Sequence, residues 1–337
     1  NGTSWTSNPT GLATGRRYIA GCGTQTSAVA FGGKTPAVSS ATESWNFGVY
    51  SYSAAAWASG GNLNTARYYT AGGGTQTAAI VGGGTTNTAL VASAESYNGS
   101  AWTSVNSINN PRASQGGAGT QTAAVIFGGF TPGITGTTEL WNGSTWTTNP
   151  TAMNTARRGY MGNAGTQTAA LAFGGYTGTA VTSATEKFNG TTWTSNPTGL
   201  GTARYETTGC GTQTAALAFA GALPGNTTAT ESFNGSTWTT VNSMTSARRS
   251  LAGFGTQTAA IGAGGFTTGV VATSESWNGT SWTNITSLGT AVSSNYGVGS
   301  QSSGLVIGGY NGSAETNATQ KWTGIVATAN SKTLTVS

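Results

Sequence analysis

An all-β fold assembled from repeated units is predicted by three observations. The string GTQT starts at Gly23, Gly74, Gly119, Gly165, Gly211 and Gly255 and returns as GSQS at Gly299, giving seven copies 44 to 51 residues apart. Each copy leads into a short apolar run and a small-residue doublet, from Gly32-Gly33 in the first to Gly308-Gly309 in the last. Polar uncharged residues alternate with β-branched and aromatic ones, the pattern of half-buried strands. A period of this length with four strands per unit is one propeller blade, so the prediction is a seven-bladed β-propeller.

Each unit supplies its strands in a fixed order. Strand a follows an Ala-Arg dipeptide, and strand b is the alternating run typified by TQTAALAF. Strand b ends at the doublet, where backbones are expected to approach closely. Strand c carries Glu-x-aromatic, ending at Trp45, Tyr97, Trp141, Phe188, Phe233, Trp277 and, as Gln320-Lys321-Trp322, at Trp322. Strand d carries a Trp five residues after most of these aromatics: Trp102, Trp146, Trp193, Trp238 and Trp282. Asn-Gly between c and d predicts a type I′ hairpin turn.

Composition narrows the chemistry. The chain has 337 residues, of which 6% are charged, yet it holds 11 Trp, 11 Tyr and 10 Phe, which argues against disorder. No apolar run is long enough to span a bilayer as a helix. Cys22 and Cys210 occupy one slot in two different repeats, so two buried thiols are expected rather than a bridge. The sequence contains neither His nor Asp. A Ser-His-Asp triad is therefore impossible, and imidazole-based metal sites are out of reach. Glycoside hydrolysis needs two facing carboxylates, and six of the eight glutamates fall in one repeated slot. Neither an enzyme nor a cofactor is expected.

The order of strand endings resembles the kelch repeat: Gly-Gly, then an aromatic, then Trp after a short turn. The resemblance runs from Asn1 to about Trp322, and the Gly-His and Trp-Asp signatures of WD40 repeats cannot occur here. It implies a kelch-type propeller over residues 1–323, with 324–337 as a tail or linker. The seventh unit lacks Asn-Gly-x-x-Trp after Trp322, while the chain opens Asn1-Gly2-Thr3-Ser4-Trp5. The N-terminal strand is thus expected to complete the last blade and cover its edge. One unit is longer: between Trp45 and the matching Trp57 stand seven extra residues, including Phe47, Tyr50 and Tyr52. This lengthened hairpin is either a contact loop or a local packing patch.

Charge falls into repeated slots. Arg16, Arg67, Arg112, Arg157, Arg204 and Arg248 open strand a, and Glu43, Glu95, Glu139, Glu186, Glu231 and Glu275 sit in strand c. The last unit has Val292 and Gln320 in those places, so both charges vanish together. One partly buried Arg–Glu pair per blade accounts for this, because removing one partner would strand the other. The alternative is an arginine ring that grips acidic ligands, as some kelch propellers do. The remaining charges give the net +5 without a basic stripe, so nucleic acid is not an expected partner.

Residues just after the arginine slot differ among units: Arg17, Tyr68, Ala113, Arg158, Tyr205, Arg249 and Ser293. Lys34, Phe130, Tyr176, Phe266 and Tyr310 follow the doublets at the same expected face. The candidate ligand-binding rim is Arg17, Tyr68, Arg158, Tyr205, Arg249, Phe130, Tyr176, Phe266 and Tyr310, against the plainer reading of solvated loops. The expected function is a recognition or adhesion module, extracellular or virion-borne as in a phage tail fibre. Its partner would be a glycan or protein at a cell or virion surface, within a larger assembly and without membrane insertion. Alternatives are a structural spacer domain and an adaptor for acidic peptides.

Overall fold

The computed structural model describes residues 17–23, 27–32, 34, 37, 42–46, 50–159 and 161–329. The chain divides into two units, one formed by Ala55–Gly324 and the other by Asn1–Ala54 with Ile325–Ser337.

The larger unit is a β-propeller of six blades, each a four-stranded antiparallel sheet. Blade I consists of Ala71–Gly74, Ala79–Gly82, Ala94–Tyr97 and Trp102–Val105, in the order a-b-c-d. Blades II to V repeat this over residues 116–148, 162–195, 208–241 and 252–285. Blade VI takes Tyr296–Ser300, Ser303–Tyr310 and Glu315–Thr323 from the end of the ring and Ala56–Ser59 from its start.

Two expectations are corrected here. The ring has six blades rather than seven, and the strand that closes it is not the N-terminal one. Its closing strand is Ala56–Ser59: Trp57 stands opposite Trp322, with ring centroids 5.1 Å apart. Residues 1–16, including Trp5, lie outside the described residues. The physical reason lies in the lengthened hairpin. Tyr50–Ser53 of that hairpin forms a strand of its own, and the first unit's Trp strand pairs with Glu315–Thr323 in blade VI. In the other unit the first repeat forms a three-stranded sheet of Ala20–Gly23, Ser27–Phe31 and Thr42–Asn46. Val326–Ala329, expected as tail, pairs with Tyr50–Ser53 in the same unit.

The ring closes with one set of contacts at all six boundaries. The N–H of the second doublet residue donates to the carbonyl at the next blade's arginine slot: Gly84 to Arg112, Gly129 to Arg157, Gly175 to Arg204, Gly221 to Arg248, Gly265 to Val292 and Gly309 to Arg67, at 2.8–3.0 Å. The Gln of GTQT crosses the same boundaries. Gln121 Nε2 donates to the Tyr97 carbonyl, Gln167 to Trp141, Gln213 to Phe188, Gln257 to Phe233 and Gln301 to Trp277. Gln76 does the same to Trp322, joining blade I to blade VI.

Four of the six strand-d indoles form a third link, donating to a strand-c hydroxyl of the preceding blade, while Trp57 donates to the Thr286 carbonyl instead. Trp102 reaches Thr319, Trp193 reaches Thr138, Trp238 reaches Thr185 and Trp282 reaches Thr230, at 2.9–3.1 Å. Blade I has Ala94 in the threonine position, and Trp146 Nε1 is left without a partner. Phenylalanines of strand b meet the same indoles edge to face, as Phe127 with Trp193 and Phe173 with Trp238, both with centroids 4.8 Å apart.

The Asn-Gly hairpins differ from the expected turn. Trp141 pairs with Trp146, so the loop has four residues, and only Gly143 among them has positive φ (91°). Asn142 Oδ1 instead accepts from the Ser144 and Thr145 N–H groups, at 2.9 and 2.8 Å. The side chain caps the loop as an Asx turn.

Candidate functional site

Strand a of each blade lines the central channel, and its glycines are set by lack of room. A Cβ on Gly117 would lie 2.7 Å from the backbone N and O of Gly72 in the preceding blade. The channel is crossed by Tyr296, whose hydroxyl lies 2.7 Å from the Gly72 carbonyl and 2.9 Å from that of Gly117. Asn163 Nδ2 donates to the same Gly117 carbonyl at 2.5 Å. Burial pushes the Tyr296 phenol well above its usual range.

The arginines that open strand a are structural neighbours of the glutamates. Arg67–Glu95, Arg112–Glu139 and Arg157–Glu186 are close ion pairs; Arg204–Glu231 and Arg248–Glu275 lie at 2.7 and 3.0 Å. All five guanidiniums are 0% exposed, out of a ligand's reach. The second carboxylate oxygen accepts a backbone N–H from the d–a loop, as from Asn109 to Glu139 and Asn154 to Glu186, both at 2.7 Å. Burial pulls Arg67, Arg157, Arg204 and Arg248 below their usual range against the opposing pull of the glutamates, and lowers Arg112 to about 10. In blade VI, Val292 is buried and Gln320 takes over the loop contact, accepting from Thr290 N–H and donating to Thr290 O. Arg16 and Phe47 lie outside the described residues, and Glu43, Tyr50 and Tyr52 are described by backbone alone.

Two residues past the arginine slot, every blade turns a left-handed corner: Tyr69 (φ 60°), Ser114 (59°), Gly159 (86°), Glu206 (51°), Ser250 (55°) and Ser294 (55°). Such a conformation costs a non-glycine residue about 1–2 kcal/mol. Hydrogen bonds around the mouth offset it. Ser114 donates to Tyr69, Glu206 to Gly159, Ser250 to Glu206, Ser294 to Ser250 and Tyr69 to Ser294, at 2.6–3.0 Å. Among the described residues the link from Gly159 to Ser114 is not made. The sequence gives no sign of this belt, because its members share a conformation and not a residue type.

The corner turns the residue after each arginine onto the mouth, where it bridges the residue after the doublet: Tyr68 with Thr85, Ala113 with Phe130, Arg158 with Tyr176, Tyr205 with Ala222, Arg249 with Phe266 and Ser293 with Tyr310. The two sets of variable residues therefore meet at one face. Arg17 bridges Lys34 in the other unit. Tyr68 stacks against Tyr69 (4.9 Å) and Tyr310 (6.0 Å), and Tyr176 against Tyr205 (6.4 Å). Arg158 lies over Phe130 and Arg249 over Phe266, both at 4.8 Å.

Two open cavities result. The larger, about 450 Å³, is bounded by Tyr69, Arg158, Tyr176, Tyr205, Glu206 and Pro224. The second, about 360 Å³, lies between Tyr68, Glu206, Arg249, Phe266 and Tyr310. Both fall within the range of small-molecule sites. Arg249 is neutralised: its Nε lies 2.9 Å from Glu206 Oε2, and Nη1 donates to Asn226 Oδ1 at 3.1 Å. Glu206 also accepts from Ser250 Oγ. Sequence reasoning missed Glu206 as a member of the mouth, since its position follows from the belt. Among the described residues no three metal-ligating side chains gather. Both cysteines are free; Cys210 is buried, but Cys22 is exposed, against expectation. Comparison with protein-family models and with curated proteins finds no match for the chain.

Proposed function

We propose that the ring is a non-enzymatic recognition module of the kelch type, displayed outside the cell or on a virion, whose strand-a entry mouth binds a surface glycan. One observation carries this reading. Equivalent positions are occupied alike where blades pack, and differ at the mouth, where tyrosines and arginines converge on two open cavities. Asymmetric chemistry on a near-symmetric scaffold suits an asymmetric ligand. Tyrosine faces pack against the apolar faces of pyranose rings, while phenol and guanidinium donors take the hydroxyls. The kelch assignment is supported by the Gly-Gly, aromatic and Trp order. The buried, paired arginines speak against an arginine ring that grips acidic peptides.

The test is attachment to a glycan array by the full chain and by Tyr68→Ala and Tyr205→Ala variants. Loss of binding in both, with folding intact, is the expected result. Unchanged binding in both, with loss on shortening residues 47–53, would move recognition to the lengthened hairpin.

A further inference from the structure

Two arginines hold equivalent places at the mouth, Arg158 in blade III and Arg249 in blade V. The preceding blade supplies Arg249 with a carboxylate from Glu206 and an amide oxygen from Asn226. The corresponding positions of blade II hold Ser114 and Ile134, which carry no charge. Arg158 is half-buried, held between the rings of Phe130 (4.8 Å) and Tyr176 (5.8 Å). Among the described residues its guanidinium has no carboxylate partner and donates no hydrogen bond. Its guanidinium borders the larger cavity, beside Tyr69, Tyr176 and Tyr205.

We infer that Arg158 binds the carboxylate of an acidic sugar, of the uronic or sialic class, seated in this cavity; the inference rests on the recognition reading of the mouth. A planar guanidinium stacked between rings presents its N–H edge as a fork, and a carboxylate matches that fork with two parallel hydrogen bonds. Stacking fixes the cation beforehand, so little freedom is lost on binding. The mouth offers one cation without a carboxylate partner, because Arg249 is taken up by Glu206 and Asn226; this disfavours a polyacidic peptide and suits a single acidic pyranose. The tyrosines around it offer ring faces to the sugar, and Tyr176 Oη already donates to the Gly178 carbonyl at 2.8 Å, which leaves its oxygen to accept from a sugar hydroxyl.

The experiment uses the full chain on an array of glucuronyl- and sialyl-terminated glycans, each beside its carboxyl-reduced counterpart, with a tetraglutamate peptide as a further probe. The expected result is binding of at least one acidic glycan about 10- to 100-fold tighter than its reduced form. Arg158→Gln should abolish that difference, weakening the acidic glycan far more than its reduced form; Arg158→Lys should retain part of it. Glu206→Gln should hold or increase acidic binding. Equal affinity for acidic and reduced glycans, both weakened by Tyr205→Ala, would overturn the carboxylate inference and keep the recognition reading. Tetraglutamate bound more tightly than every glycan, and lost in Arg158→Gln, would overturn the sugar class. No binding of any probe would overturn the inference, and unaltered attachment to a native target in Tyr205→Ala would overturn the reading beneath it.

Discussion

Blade III and blade VI solve one problem in opposite ways. In blade III, Arg157 and Glu186 form a buried ion pair, and Glu186 also holds the d–a loop through Asn154 N–H. In blade VI, Val292 fills the arginine's space and Gln320 holds the loop through Thr290. The two blades close the ring with equivalent backbone bonds, Gly129 to Arg157 and Gly265 to Val292. The comparison teaches that the pair is a replaceable unit. What each blade requires is a satisfied loop and a filled cavity, and charge is one way to meet both.

The sharpest way to break this comparison is to remove half a pair. Arg157→Val should destabilise the ring by about 3–5 kcal/mol in urea titration, because Glu186 is left buried and uncompensated. Adding Glu186→Gln should recover most of the loss, to within about 1.5 kcal/mol, since the double variant copies blade VI. A double variant as unstable as the single one would show that the charges themselves hold the blade.

Tyr296→Phe comes next, with an expected loss of about 1–2 kcal/mol, because the Gly72 carbonyl loses the phenol's one proton while the Gly117 carbonyl keeps its bond from Asn163. It also carries a pH signature. The folded phenol titrates above its usual value of about 10, so its contribution is full below that pH and is lost as pH rises past it. Alkaline titration should therefore lower wild-type stability more steeply than that of Tyr296→Phe; parallel curves would contradict the burial argument.

A smaller gain is expected from Ala94→Thr. It gives Trp146 Nε1 the hydroxyl that Thr138 gives Trp193, worth about 0.5–1.5 kcal/mol. Ala94 stands opposite Gly82 as Thr138 stands opposite Phe127 in blade II, so the new hydroxyl takes the place of an established one. Destabilisation by Ala94→Thr would mean that blade I is packed around the alanine.

How legible this was depends on scale. The seven repeats, their strand order and the pairing of strands a to d follow from spacing and alternation alone. The number of blades does not, because a repeat count says nothing about which strand c a given strand d joins. The signal was present in the seven extra residues before Trp57, which read as an elongated loop and are the point where the strand leaves its own unit. The Gln of GTQT stood in all seven copies, yet its partner is a carbonyl in the neighbouring blade, a contact invisible along the chain. The mouth was half legible. Variation after the arginines marks the face where the two variable sets meet, while the left-handed corners that bring Tyr69 and Glu206 into it depend on inter-blade hydrogen bonds.

The most direct test of the account is a hydrogen-exchange footprint of the full chain with the glycan retained most strongly on the array. The account predicts added protection at the mouth, over residues 68–69, 112–114, 157–159 and 204–206, with the Asn-Gly hairpins of the opposite face unchanged. Protection confined to those hairpins, such as 142–145 and 189–192, would contradict it.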